Sequence, residues 1–539
     1  MKNQQNRQTA SSSGFSPDPA SFYFPATGIQ TSGSALLLAL DDVTFPVKHN
    51  LCLDLTKPTV RVEPVLTPSP LDSNAPDNFM VFFYGTVLHD EGRFRMWYYP
   101  CHWGVNPDWD GHHARQLAKW DLPYFQGPLC YAESEDGLTW TKPHLHQLLF
   151  KGSKENNAFN LPHTLVSCAT VIKDENDPDP ARRYKMVYEF FPEFSDPPLE
   201  GLTSGMPTCA LAASADGIQW DLLSTPYPNE FIEHASFYQH DGKYIINSQN
   251  FDLQIPGEGG TKRGRQGFAR FSTDFNHWLE GAVESFALPE PAVPEARGIS
   301  GLYDQVHLGV GAVSFGTVSV GLFGLWHNND FWNEFDLISC DLGLVISNDG
   351  LHFREPVKGH FFLSRHDSPA APFPGKDYNT NLCQANGILN VGDETRIYHG
   401  RWRNTSDKPD DIENGYGEVG LATLPRDRWG ALRLPSHHSS GSVWSAPIVL
   451  PAADCELFLN VEGARGIRVE IADENFNLLS EYSGDNGGST SDESGFDCKV
   501  AWPKSSLSIL EGKTIRLKIH LQAGEYPQPR FYAASLKNK

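Results

Sequence analysis

Four times along the chain a serine stands two residues before an aspartate and six before an aromatic ring: Ser134-x-Asp136-x-x-x-Trp140, Ser214-x-Asp216-x-x-x-Trp220, Ser272-x-Asp274-x-x-x-Trp278 and Ser347-x-Asp349-x-x-x-Phe353. Each is preceded by an apolar, strand-like run such as Cys130-Tyr-Ala-Glu-Ser134. The unit reads as a strand, a tight turn and a returning strand whose aromatic packs back on the first. A fifth, degraded copy is Pro425-Arg-Asp427-Arg-Trp429-Gly430, after the strand-like Glu418-Val-Gly-Leu-Ala-Thr-Leu424. Successive aspartates lie 80, 58, 75 and 78 residues apart. That is longer than a small solenoid repeat and fits propeller blades with long loops.

A further strand pair precedes each hairpin, for example Tyr84 to Tyr98, Cys168 to Tyr188, Ser236 to Ile246, Gly311 to Leu325 and Gly387 to Tyr398. Two hairpins in sequence make a four-stranded antiparallel blade, and a ring of blades leaves only short, protected edges. The expected fold is therefore all-β: a five-bladed β-propeller over residues 35–435. A Ser/Gly-rich break at His437-His-Ser-Ser-Gly-Ser-Val443 ends it. Beyond it, Gly466-Ile-Arg-Val-Glu-Ile-Ala-Asp473 and Thr514-Ile-Arg-Leu-Lys-Ile-His520 alternate apolar and polar residues. Period two marks half-buried strands, so residues 441–539 are expected to form a C-terminal β-sandwich. The polar residues 1–34 are expected to be a disordered or extended N-terminal segment.

Composition narrows the function. Across 539 residues, aromatics reach 12%, which suits an all-β protein with an aromatic-lined binding surface. A net charge of −23 argues against nucleic acid and anionic membranes as partners, since phosphate binding needs clustered Lys and Arg. The nine cysteines show no C-x-x-C spacing, as expected of buried thiols in a reducing compartment. The polar N-terminus has no apolar signal core, and Ala35-Leu-Leu-Leu-Ala-Leu40 is too short to span a bilayer. These features point to a cytoplasmic protein.

Five four-stranded blades followed by a β-sandwich, with S-x-D-G-x-x-W hairpins and a strand pair flanking Asp177-Pro-Asp-Pro-Ala-Arg-Arg-Tyr-Lys-Met-Val187, resemble the glycoside hydrolase clan of families 32, 43 and 68. The chain looks most like bacterial proteins related to family 32, and the resemblance runs over nearly its whole length. It implies glycosidase activity on a carbohydrate substrate. The family's third-blade acid is matched in register by Glu233 in Glu233-His-Ala-Ser-Phe-Tyr238, followed by Asp241-Gly-Lys243. Its N-D-P-N nucleophile segment has no counterpart, and Asp77-Asn78 is a positional candidate only. Where the family carries R-D-P on the second blade, this chain reads Val166-Ser-Cys-Ala-Thr170 and has no carboxylate.

In a propeller, residues just before the first strand and just after the second converge on the axial pocket. That rule selects Asp77 and Tyr84, then His163, Glu233, His234, Asp304, His307, Asn381 and Gln384, before the first strands. After the second strands it selects Trp103, Glu189, Trp326, His327, Asp330, His399 and Arg401. Polar, His and Trp side chains at every blade end offer hydrogen bonds to hydroxyls and flat faces to sugar C–H surfaces. Tyr84, His163, His234, His307, Asn381, Gln384 and His399 are thus expected to line the substrate site. His327 and Arg401 are read as donors to the substrate, and Trp103 or Trp326 as a stacking platform.

Glycoside hydrolysis needs a protonated carboxyl beside the leaving oxygen and a second carboxylate acting as nucleophile or base. Glu233 is the expected acid. For its partner the order is Asp304, Asp77, Glu189, Asp330. No H-E-x-x-H or similar spacing marks a metal site, no cofactor is expected, and a structural cation on the propeller axis is left open. The Gly-rich stretch Gly257 to Gly267 follows no strand-to-helix pattern and reads as a flap. Two other functions compete: a non-catalytic glycan-binding propeller, and a five-bladed glycoside phosphorylase or transferase using cations such as Arg401 and Arg403 to bind phosphate.

Overall fold

The computed structural model describes residues 17–104, 124–163, 165–192, 207–250, 265–288, 305–327, 339–367, 380–403 and 415–538. Among these the regular structure is β-strand, with a few single turns of 3₁₀ helix. The fold class is all-β, as the hairpins required.

Three antiparallel sheets follow one another in the chain. The first is Met80–Asp90, Arg93–His102 and Cys130–Ser134; the second is Val166–Lys173, Tyr184–Phe190, Thr208–Ser214 and Asp221–Ser224. The third is Glu233–His240, Lys243–Asn250, Gln266–Ser272 and Val283–Phe286. A larger sheet holds two more groups. One is Gln305–Ser314, Ser319–His327, Ser339–Ser347 and Phe361–Leu363. The other has a first strand split into Asn381–Cys383 and Ile388–Val391, then Glu394–Arg403 and Tyr416–Pro425, and its last strand is Thr59–Val60, supplied from upstream. The first strands pack on one another in a closed cycle, each on the next and Ile388–Val391 back on Met80–Asp90. This is propeller topology.

The cycle is stitched by side chains. Thr86 Oγ1 accepts from Val171 N at 2.8 Å, and Ser236 Oγ donates to Val310 O at 2.6 Å. Asn386 reaches across to the third sheet, its Nδ2 donating to Phe237 O at 2.6 Å and its Oδ1 accepting from Phe237 N at 3.2 Å. The repeated hairpins join the third and fourth strands. In the first, Ser134 Oγ accepts from Gly137 N (2.9 Å), while Asp136 Oδ1 accepts from Leu138 N and Thr139 N (2.7 and 2.8 Å). Ser214 with Asp216, Ser272 with Asp274 and Ser347 with Asp349 repeat the cage.

Two C-terminal sheets share a single apolar core that includes Phe22, Leu37, Phe45, Leu457, Val469, Ile519 and Phe531. Their strands are not confined to the region after residue 441. Ser21–Phe24 pairs with Ile29–Ser32 and Ile448–Val449, Ser34–Leu38 with Arg530–Asn538, Val47–His49 with Ser440–Trp444, and Cys52–Leu55 with Gly430–Arg433. A division at residue 34/35 therefore does not follow the pairing, because the first 55 residues supply strands to both C-terminal sheets. Strands of three to five residues paired across some 400 positions of sequence leave no local signal of their partners.

Candidate active site

At the ends of the second and third sheets the chain brings two carboxylates together. Glu189 is the penultimate residue of Tyr184–Phe190, and Glu233 begins Glu233–His240. Register irregularities lie beside both, between Val166 and Cys168 on the strand that pairs with Glu189 and between His234 and Ser236 after Glu233. Glu189 is buried, 3% exposed, and accepts from Ser167 Oγ at 2.5 Å and from the backbone N–H of His234. Glu233 accepts a hydrogen bond from Gln249 Nε2, and the Gln249 Oε1 accepts from Leu308 N at 2.7 Å. The amide thus ties Glu233 to the fourth blade.

The two carboxylates are not equivalent. Burial pushes the Glu189 carboxyl well above the usual range, and the negative charge of Glu233 pushes it further. Burial also raises Glu233, but the positive charge of Arg265 and the Gln249 donor oppose that rise.

Arg265 belongs to a second constellation against the pair. Its Nη1 donates to His307 Nδ1 at 2.8 Å, and its guanidinium carbon lies 4.9 Å from the Trp326 ring centroid. His307 stacks on Trp326 with centroids 4.5 Å apart, and its Nε2 lies 3.3 Å from the Tyr84 hydroxyl. Tyr84 feels the charge of Glu233, and burial raises its phenol well above its ordinary value. An apolar wall of Phe79, Phe82, Tyr99, Trp326 and Trp402, with Tyr84 and Trp103 packed on it, surrounds this group. The strand-end rule selected Tyr84, His307, Trp326 and also Gln249, but missed Arg265. Arg265 lies in the Gly-rich stretch read as a flap, whose residues up to 264 lie outside those described, and the stretch's basic character was the available signal.

Other expected site residues have other employment. Asp77 is fully buried and accepts from Ser69 Oγ and Tyr98 OH at 2.7 Å each, with Lys142 Nζ at 2.5 Å. Its charge is consumed in holding blade one together. Asp304 and Asp330 lie outside the described residues. Arg401, read as a substrate donor, is fully buried, ion-paired with Glu418 at 2.5 Å and bonded to the Val62 carbonyl. It anchors the upstream segment that supplies the last strand of the fifth group. His327 is held 2.8 Å from Asp341, which also binds Arg365.

The remaining histidines are buried and neutral. His163 lies 2.7 Å from Tyr188 OH, stacked on Phe190, and burial lowers it to about 4. His234 Nε2 lies 3.0 Å from Thr170 Oγ1, and burial lowers this ring to about 4 as well. His399 is lowered to about 3 by burial and then by the charge of Arg401. Gln384 Nε2 donates to the carbonyls of His307 and Gly309 at 2.6 and 2.8 Å, fixing the loop that carries His307. Asn381 is buried opposite Trp402, with neither amide atom hydrogen-bonded among the described residues. Trp103 is fixed by its backbone N–H to Asn78 Oδ1 at 2.8 Å, its ring 5.4 Å from Phe79. Among the described residues no group of three or more His, Cys, Asp or Glu is placed to hold a metal ion.

No family model matches this chain, and no curated protein matches it. Solved structures of similar shape include a glycosyl hydrolase from Bacteroides ovatus, 15% identical over 73% of this chain and 97% of that one, TM-score 0.40. The β-1,2-mannobiose phosphorylase of Listeria innocua is 14% identical over 69% of this chain and 97% of its own, TM-score 0.40. An N-acetylgalactosamine deacetylase from F. plautii is 14% identical over 69% and 96%, TM-score 0.39. At this distance the reading of function rests on the site's own side chains.

Proposed function

We propose that this chain is a glycoside hydrolase acting on a small, uncharged glycan, with Glu189 and Glu233 as its catalytic carboxylates. The observation that carries the reading is their juxtaposition: a buried and a half-buried carboxyl, both raised and Glu189 the more so, beside an aromatic wall suited to sugar faces. Glu189, desolvated and facing an anion, keeps its proton and delivers it to the glycosidic oxygen as the C–O bond breaks. Glu233, whose rise Arg265 and Gln249 oppose, takes the other role: as the carboxylate it either takes a proton from the attacking water or attacks the anomeric carbon itself. This reverses the expectation of Glu233 as the acid. The charge of Arg265, unread in the sequence, is the reason.

The hairpins and the two C-terminal sheets, read as a β-sandwich, support placement near family 32, without that family's first- and second-blade motifs. The nine free thiols support a reducing, cytoplasmic setting. Among the described residues no helix is long and apolar enough to cross a membrane.

The test is a panel of 4-nitrophenyl glycosides and short fructans. Glu189→Gln and Glu233→Gln are each expected to lower kcat about 10²-fold or more with KM nearly unchanged. Loss of the acid matters most for poor leaving groups, so Glu189→Gln should lose far more on a phenyl than on a 2,4-dinitrophenyl glycoside. If Glu233→Gln shows that pattern instead, the roles are those the resemblance implied. Retained turnover in both variants would remove the pair from catalysis, and sugar binding without turnover would support the glycan-binding alternative. The phosphorylase reading loses Arg401, which is paired with Glu418, and retains Arg265 as its cation; product formation that requires inorganic phosphate would favour it.

A further inference from the structure

We infer that Arg265 acts through His307 to make Tyr84 an obligate hydrogen-bond donor toward the ligand beside Glu233. The inference rests on the hydrolase reading for its ligand, not for its geometry. A guanidinium has five N–H donors and no acceptor, so the 2.8 Å contact from Arg265 Nη1 fixes His307 Nδ1 as the acceptor. A neutral imidazole with Nδ1 accepting carries its hydrogen on Nε2. Among the described residues the hydrogen-bond partner of Nε2 is the Tyr84 oxygen, 3.3 Å away, so the ring donates and the phenol oxygen accepts. The hydroxyl hydrogen of Tyr84 is then turned away from His307.

The ring is kept neutral by its surroundings: burial and the adjacent charge of Arg265 hold His307 well below its ordinary value. The chain of contacts is also rigid. Trp326 carries both the His307 ring and the Arg265 guanidinium on its surface, and Gln384 pins the carbonyl of His307 at 2.6 Å. Around the phenol stand the Cys383 thiol, a weak acceptor, the Glu233 carboxylate and the Cys340 and Cys168 thiols. Tyr84 itself is half-buried among the described residues.

The consequence is selection by polarity. A sugar hydroxyl or glycosidic oxygen accepts from Tyr84, whereas a group that can only donate finds no complement in the Tyr84 hydrogen and must turn to the Glu233 carboxylate instead. The position facing Tyr84 therefore favours an oxygen that accepts a hydrogen bond. Arg265 and His307 are positioning residues, and Tyr84 is the group that touches substrate.

Joint neutron and X-ray crystallography of the wild-type chain reads the hydrogens directly. The expected result is a deuteron on His307 Nε2, none on Nδ1, and a Tyr84 deuteron not directed at His307. A deuteron on Nδ1, or the Tyr84 deuteron pointing at Nε2, overturns the proposal. Because this needs no substrate, it is decided even if the hydrolase reading fails. The second arm is a double-mutant cycle on whichever 4-nitrophenyl glycoside the wild type cleaves. Tyr84→Phe is expected to lower kcat/KM about tenfold. In an Arg265→Met background the same change should cost about twofold or less, while Arg265→Lys, which still donates to Nδ1, restores the larger penalty. Any effect of Arg265 on Glu233 is common to both legs and cancels. Equal Tyr84→Phe penalties in all three backgrounds would show that Arg265 does not act through Tyr84.

Discussion

A carboxylate that keeps its proton is a liability to the folded state at neutral pH, and Glu189 makes that measurable. Its folded pKa is raised by burial and by Glu233 above the unfolded value of about 4.3. Between those two values the folded state holds the extra proton, so the stability from this group is full below the unfolded pKa and is lost as pH rises through the folded one. Glu189→Gln removes the titration. Its Tm relative to wild type should therefore increase from acidic to neutral pH, and scanning calorimetry at several pH values checks the slope. A flat or falling difference would show that Glu189 is not held protonated. The acid side belongs to other residues. His163 and His234, lowered to about 4, lose stabilisation as pH falls from about 6.5 toward 4, because the unfolded chain then binds more protons. The hairpin carboxylate Asp136, lowered to about 2 by the Thr139 and Leu138 N–H groups, adds its loss below about 3.9. At this scale the sequence was readable only in part. Glu189 and Glu233 sit where the strand-end rule places them. What the rule cannot show is which side chains are already spoken for: Asp77 is neutralised by Lys142, 65 positions away, and Arg401 by Glu418 on the next strand.

The hairpin is legible because it is local. Its Ser, Asp and turn residue close their hydrogen bonds within six positions, so each copy carries its own instructions. It also keeps clear of the chemistry. In the second sheet Glu189 pairs with Cys209 near the start of the third strand, whereas the hairpin serine, Ser214, ends that strand opposite Tyr184. Within the motif the residues differ in what they hold. Gly137 has φ +71°, and an added Cβ would meet Tyr398 Oη at 2.5 Å and Arg396 Nη1 at 2.7 Å. Gly137→Ala should destabilise by about 1–3 kcal/mol, from the left-handed backbone and the clash together. Asp136→Ala frees N–H groups that water can reach, so about 1 kcal/mol is expected. Chemical denaturation gives the two values, and kcat/KM should be unchanged in both. A loss of activity larger than the loss of folded protein would place the hairpin in the site. The third copy shows that the geometry outranks the residue: Phe275 occupies the glycine position with φ 66°, and its buried ring offsets the strained backbone by packing on Phe237 and Tyr244.

Over the whole molecule, the two ends of the chain and the later blades are one packed body. A single apolar cluster joins Leu38 and Leu40 from the N-terminal segment, Val320 and Leu344 from the fourth strand group, Leu382 and Ile397 from the fifth, Trp429 from the turn that follows it, and Ala533 from a C-terminal sheet. The fifth group takes its last strand, Thr59–Val60, from the same N-terminal segment, and Arg401 bonds the Val62 carbonyl just beyond it. None of this is visible as a pattern, because its information is long-range: very short strands whose partners are chosen by tertiary packing. It has a consequence for dissection. Removing residues 1–55 strips strands from both C-terminal sheets and takes Phe22, Leu37 and Phe45, three fully buried side chains, out of their core. At about 1.5–3 kcal/mol for each buried apolar side chain, that loss rivals the net stability of a typical domain of about 5–15 kcal/mol. A chain starting at residue 56 should therefore fail to accumulate as folded protein, and a fragment of residues 56–435 should fare no better. The intact chain should unfold without releasing a folded C-terminal part first, so limited proteolysis during a thermal ramp should degrade both regions together. A protease-resistant C-terminal fragment surviving the loss of Trp429 burial would show that the shared cluster does not couple them.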